Sequence, residues 1–261
     1  MKTPTVFYGG KMSLVSTILP LLNIPHTTFC EPYVGGGAVY WAKNPVPVEV
    51  INDHNGFVIN FYKTLKSNFK NLEKKIQQTL YSRESHTVAK MVYKAPYLFS
   101  DVQKAWSFWV LVSQGFSGLL GGSWSFDRKS QKVRSFNNKK LHFTKELAKR
   151  LEHTQIECKD ALELIISRDS KDTLFFIDPP YIGADQGHYA GFTEQDFENL
   201  LNILGTLQGK FLMTTYDSEL LDGYVKKCGW FQRRFDKPIT ASNAKGKRKW
   251  KTEVFTTNYI V

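Results

Sequence analysis

The sequence predicts an α/β protein. Its sheet should be mostly parallel and closed at the C-terminal side by an antiparallel hairpin, with a helical module inserted after the first strand, helix and strand. Three observations predict this. Short apolar runs of strand type alternate with amphipathic stretches, the order that produces parallel sheets. Between residues 59 and 151 the alternation stops and the periodicity is helical. The tail "WFQRRFDKPIT... KTEVFTTNYIV" reads as two strands joined by the basic loop "ASNAKGKRKWK". With 261 residues the chain can bury a full core. The expected division is one unit from 1–58 and 152–261, with 59–151 inserted into it.

Taken in order, the chain opens on a short strand-like stretch. "SLVSTILPLL" then shows helical spacing and ends around Pro20 to Pro25. "HTTFCEPYVGGGAVYWA" reads as a buried strand, a glycine turn and a helix start, and "VPVEVIND" as a second strand. From about Gly56 to Arg83 the pattern is helical, and "SDVQKAWSFWVLVSQGF" gives a further helix. The following "GFSGLLGGSWSFDRKSQKVRSFNNKKLHF", rich in Gly, Ser, Asn and basic residues, is expected to form a surface loop or hairpin. Then come a helix in "TKELAKRLEH", a strand in "TQIEC", a strand in "TLFFI", a helix in "TEQDFENLLNILGTL" capped by Thr193 with Asp196 near its positive end, and a strand in "KFLMTTY".

Charge narrows the class of partner. Thirty-five Lys and Arg against 24 Asp and Glu leave a formal +11, a surplus suited to a polyanion such as nucleic acid. "RKSQKVRSFNNKK" sets six cations among Asn and Phe, and "KGKRKWK" sets five around Trp250. Both suit phosphate contacts, through Arg128, Lys129, Lys132, Arg134, Asn137 and Lys139 in the first and Lys245, Lys247, Arg248 and Lys249 in the second. Cys30, Cys158 and Cys228 are widely spaced without metal-type pairing, which predicts reduced thiols in or near the core, no metal site and a cytoplasmic protein. No apolar run is long enough to imply a membrane partner.

The chemistry-bearing stretch is "LFFIDPPYIGAD". Pro179 and Pro180 can neither continue a central strand nor enter a helix, so they form a stiff extended exit from the strand. That exit fixes Asp178, the Pro179 carbonyl and Tyr181 at the strand's C-terminal edge, where open α/β sheets bind ligands. A carboxylate, a carbonyl and an aromatic face suit a flat heterocycle carrying an amine. Upstream, Gly35, Gly36 and Gly37 lie at a strand-to-helix turn where backbone can approach a ligand closely. A dinucleotide fingerprint would need glycine at position 40, and Tyr40 disfavours it. Asp53, at the next strand's end, could accept hydrogen bonds from ribose hydroxyls, which leaves an adenosine-type ligand.

Together "FYGGK", "FCEPYVGGGAVYW", "INDHN", "ECKDALEL" and "FFIDPPYIG" with "YAGFTEQDFENL" resemble the Dam-like, class alpha family of S-adenosylmethionine-dependent DNA adenine-N6 methyltransferases. The likeness spans nearly the whole chain, with the middle module loosely matched. It implies a Rossmann-like methyltransferase sheet and an inserted target-recognition module, with double-stranded DNA as partner and S-adenosyl-L-methionine as cofactor. Phe7 and Lys11 would then contact the cofactor, Glu31, Tyr33, Gly35 and Gly37 would shape its methionine turn, Asp53 would hold the ribose and Asp160 the adenine. Asp178, Pro179, Pro180 and Tyr181 would grip the flipped target base, and Asp178 would also contact the cofactor. Trp124, Phe126 and Arg128 are candidates for reading or wedging bases, although "GFSGLLGGSWSFD" replaces the family's usual GATC-reading stretch, which argues against that sequence. The resemblance also admits a cognate restriction endonuclease as partner, in a bacterial or phage-infected cytoplasm. The alternatives are an RNA adenine or protein amide as acceptor, or a DNA-binding relative without activity.

Overall fold

The computed structural model describes residues 1–5, 7, 9–126, 128–182, 191–238 and 250–260, with backbone only at 236–238, 250 and 251. Seven strands form one sheet: β1 (Thr28–Glu31), β2 (Val48–Asn52), β3 (Thr154–Glu157), β4 (Thr173–Ile177), β5 (Lys210–Tyr216), β6 (Phe231–Pro238) and β7 (Trp250–Thr257). Their order is β3-β2-β1-β4-β5-β7-β6. The first five pair in parallel, whereas β7 runs antiparallel to both β5 and β6. The α/β class and the closing hairpin are as the sequence predicts.

Two helical layers cover the sheet. Every residue of β4 is buried, and its side chains alternate between faces. Phe175 and Ile177 join Leu164 of α9 (Ala161–Arg168), Leu200 of α10 (Glu194–Leu204) and Leu221 of α11 (Glu219–Cys228). Leu174 and Phe176 join Ile18 of α1 (Val15–Leu21) and Val39 of α2 (Ala38–Ala42). A third cluster carries Tyr40, Trp41 and Ile51 into a block of six helices. These are α3 (Gly56–Ser67), α4 (Phe69–Gln78), α5 (Arg83–Lys94), α6 (Asp101–Gln114), α7 (Gln131–Leu141) and α8 (Lys145–Arg150).

Several local expectations need correction. No strand occurs among the described residues 1–14. Their polar groups are taken up elsewhere: Thr3 Oγ1 donates to the Gly36 carbonyl, Trp109 Nε1 donates to the Pro4 carbonyl at 3.1 Å, and Phe7 packs on Phe108. The stretch expected as a surface loop or hairpin is a loop only up to its middle, joined by one bridge between Gly115 and Trp124, and then becomes α7. Phe136, buried against Trp109, anchors that helix. Cys30 is buried, but Cys158, placed in or near the core by the sequence, is exposed just after β3. Among the described residues no helix is long and apolar enough to cross a membrane.

Candidate active site

The strand order reverses between β1 and β4, and the ends of these two strands deliver the acids Glu31 and Asp178 to one place. A cavity of about 190 Å³ opens there, lined by both acids, by Lys11 and Phe7, and by Gly35, Gly36 and Gly37. Tyr33, Pro179, Pro180 and Tyr181 complete its predicted lining, and Tyr216 and Glu253 are additions. At about 190 Å³ it is smaller than the roughly 300–1,000 Å³ typical of a pocket that holds a whole drug-sized ligand.

The glycine turn is pinned from two sides. The Gly35 amide donates to Asp53 Oδ2 at 2.9 Å, and the Tyr62 hydroxyl of α3 donates to the Gly35 carbonyl at 2.9 Å. Gly35 and Gly37 have φ of 44° and 63°, a left-handed backbone that side chains disfavour. A Cβ on Gly35 would sit 3.0 Å from the Phe7 ring, so that ring covers the turn closely. Asp53 itself is 2 % exposed and does not line the cavity. Its other oxygen accepts from the Asn55 amide at 2.8 Å, so in this structure it ties the turn to the end of β2. Asp160 is exposed, away from the cavity lining, and caps α9 by accepting from the Leu162 and Glu163 amides.

Asp178 is held from two sides of the fold, by the N-terminal segment and by β5. Lys11 Nζ lies 2.7 Å from its Oδ1 and donates to Oδ2 at 2.9 Å, and Thr214 of β5 donates to Oδ1 at 2.8 Å. Lys11 also lies 4.7 Å from the centre of the Tyr181 ring, a cation over an aromatic face. Tyr181 meets Tyr216 edge to face at 4.5 Å. Burial, followed by the Asp178 and Glu253 charges, holds the Tyr181 hydroxyl well above its ordinary pKa. Burial also raises Glu31, with Asp178 as the next cause, and the Tyr40 amide donates to its Oε2 at 3.0 Å. Thr214 was not legible as a site residue, because a threonine inside "KFLMTTY" reads only as a strand former.

The predicted DNA-facing residues lie elsewhere. Trp124 is half-buried between Tyr81 and the Arg83 guanidinium and stacks at 6.2 Å on Phe126, which is 67 % exposed. Arg128, Lys129, Lys132, Arg134 and Asn137 are exposed on or just before α7, and Lys139 is half-buried. Lys245, Lys247, Arg248 and Lys249 lie outside the described residues. Among the described residues no cluster of His, Cys, Asp and Glu could hold a metal ion.

Fold and cavity define a doubly wound α/β enzyme whose acids meet where the strand order reverses. Residues 7–235 match the model of the D12 class N6 adenine-specific DNA methyltransferase family, and the chain belongs to that family. It is also similar to the "Type II methyltransferase M1.LlaDCHI" of Lactococcus lactis subsp. cremoris, at 24% identity over 272 residues, covering 98% of this chain and 94% of that protein.

Proposed function

We propose that the protein transfers a methyl group from S-adenosylmethionine to the exocyclic amine of an adenine flipped out of duplex DNA. One observation carries this reading: the glycine turn, Glu31, Asp178 and Tyr181 line a single chamber. The residues suit the cofactor. Its positive ammonium and sulfonium match a chamber whose Glu31 is a buried acid beside Asp178, and Gly35 to Gly37 line the same chamber, where their backbone would face its methionine end. When bound, it supplies a methyl group on a positively charged sulfur, which leaves as a neutral thioether.

The chain's own groups must position the amine. An adenine amine is a weak nucleophile because its lone pair is drawn into the ring. Asp178 and the Pro179 carbonyl would accept its two hydrogens, pull the nitrogen toward tetrahedral geometry and aim the lone pair. Lys11 and Thr214 fix the Asp178 carboxylate before the base arrives. Tyr181 would stack on the purine, offsetting the few kcal/mol that unpairing costs. The amine becomes acidic only after gaining the methyl group, so no base is needed before transfer. The type II designation of the relative favours a role beside a cognate restriction endonuclease.

The test is incubation of the purified protein with tritiated S-adenosylmethionine and unmethylated genomic DNA, followed by nucleoside analysis. N6-methyladenine in one sequence context is expected from the wild type, and less than a hundredth of that rate from a folded Asp178→Ala variant. Label in RNA or protein but not DNA would refute the acceptor, and undiminished transfer by Asp178→Ala would refute the site.

A further inference from the structure

Helix α7 presents a continuous polar stripe that the reaction does not use. Gln131, Arg134, Ser135, Asn138, Lys139 and His142 recur at intervals of three and four, so they share one face, and they form one wall of a second cavity of about 460 Å³. Lys2, Thr3 and Met12 of the N-terminal segment form the facing wall. Phe136 turns the other way and is buried against Tyr81 and Trp109, which fixes the polar face outward. Each polar side chain of the stripe can donate a hydrogen bond when histidine carries its proton on the facing nitrogen. No carboxylate is among the described lining residues, which include Lys2, Arg134 and Lys139. Burial, with Lys132 nearby, lowers the Lys139 pKa to about 8, as expected of a cation whose charge its surroundings do not offset.

The location gives the site its meaning. Lys11 lines the active chamber, and the next residue, Met12, lines the α7 cleft, so the two cavities lie on either side of one chain segment. We infer that the α7 cleft binds a backbone phosphate of the DNA strand whose adenine enters the active chamber, a step that rests on the methyltransferase reading above. A phosphate there would register the strand so that the neighbouring nucleotide can swing over the N-terminal segment into the chamber. Lys2, Thr3, Ser135, Asn138 and His142 join the DNA-contacting set on this assignment.

The experiment measures binding of a fluorescein-labelled unmethylated duplex by anisotropy across a KCl series, with wild type, Arg134→Ala, Asn138→Asp and Lys171→Ala. Each lost phosphate contact should make the slope of log K against log salt shallower by about one unit. The Arg134→Ala slope should change so, and Asn138→Asp, which adds a carboxylate without changing shape, should weaken DNA binding at least tenfold at constant salt. Lys171→Ala, an exposed cation before β4 at the end of that strand opposite Asp178, should leave the slope alone. Thermal melting of each free variant checks the fold, and if Arg134→Ala does not fold, Asn138→Asp decides. Unchanged binding in both cleft variants, with the wild type still methylating DNA, overturns the cleft and leaves the methyltransferase reading standing. A wild type that neither binds nor methylates DNA overturns both. Inorganic phosphate that competes at constant ionic strength only when Arg134 is present, with the DNA slope unmoved by its loss, assigns the cleft to a free anion and overturns the DNA assignment.

Discussion

Asp178 is poised by its neighbours, Lys11 on one side and Thr214 on the other, before any ligand arrives. Holding the acceptor beforehand removes its reorganisation from the barrier. Glu31 is the opposite case, a buried acid whose pKa lies well above 4.5 mainly because of desolvation, with the Asp178 charge adding to it. A cation placed beside Glu31 favours its ionised form, so cofactor binding must lower that raised pKa and release protons, in a window above the ordinary carboxylate value. Calorimetric titration of S-adenosylmethionine in buffers of different ionisation enthalpy should therefore show net proton release, and Glu31→Gln should abolish it and weaken binding. Proton uptake, or release that survives the substitution, would move the cofactor's cationic end away from Glu31.

At the scale of elements, the glycine turn between β1 and α2 is the most constrained piece of backbone at the site. An alanine at Gly37 would need a left-handed φ of 63° and would place its Cβ 3.0 Å from the Tyr62 hydroxyl and 3.1 Å from the Trp41 ring. The backbone term alone costs about 1–2 kcal/mol, and displacing Tyr62 also strains its bond to the Gly35 carbonyl. Gly37→Ala should lower stability by about 1–3 kcal/mol in urea unfolding, with a weaker cofactor affinity; an unchanged urea midpoint would show that the turn relaxes freely. That turn was legible because three consecutive glycines have few other uses, and β4, β5 and the Thr193 cap of α10 were legible from apolar runs and cap chemistry. Helix α7 was not. Ser130 precedes it in a left-handed conformation without a side-chain cap bond, and Phe136 is its one buried residue among eleven, so neither start signal nor apolar stripe marks it. Helices α5, α9 and α11 escaped although each carries a side-chain N-cap, α9 because eight residues hold barely two turns and α11 because Gly223 interrupts it. In the site itself, motif residues announced themselves, while the roles of Asp53 under the turn and Asp160 as a helix cap emerged only from the folded backbone.

Across the whole molecule, the helical block and the sheet are joined by charge as well as by packing. Glu49 of β2 is 4 % exposed, and Arg150 of α8 donates to both its oxygens, through Nη2 to Oε1 at 2.8 Å, while Lys43 donates to Oε1 at 2.5 Å. The same guanidinium donates to the Tyr40 hydroxyl and carbonyl, with its carbon 4.1 Å from the ring centre. Tyr40 and Trp41 meanwhile belong to the apolar cluster that runs into α3 and α6. Removing Arg150 leaves the buried Glu49 with Lys43 still paired to Oε1 but takes away the donor to Oε2, a loss of about 1.5–3 kcal/mol for a hydrogen bond to a charged group. Arg150→Met should therefore destabilise by that order, and replacing Lys43, Glu49 and Arg150 together with Met, Leu and Met should recover most of the loss, because no buried carboxylate is then left short of a donor. Calorimetry checks both expectations, and because one cluster crosses the junction it should show a single transition in the wild type. Two separated transitions would mean that the helical block folds as its own unit, in which case Arg150→Met should move only one of them.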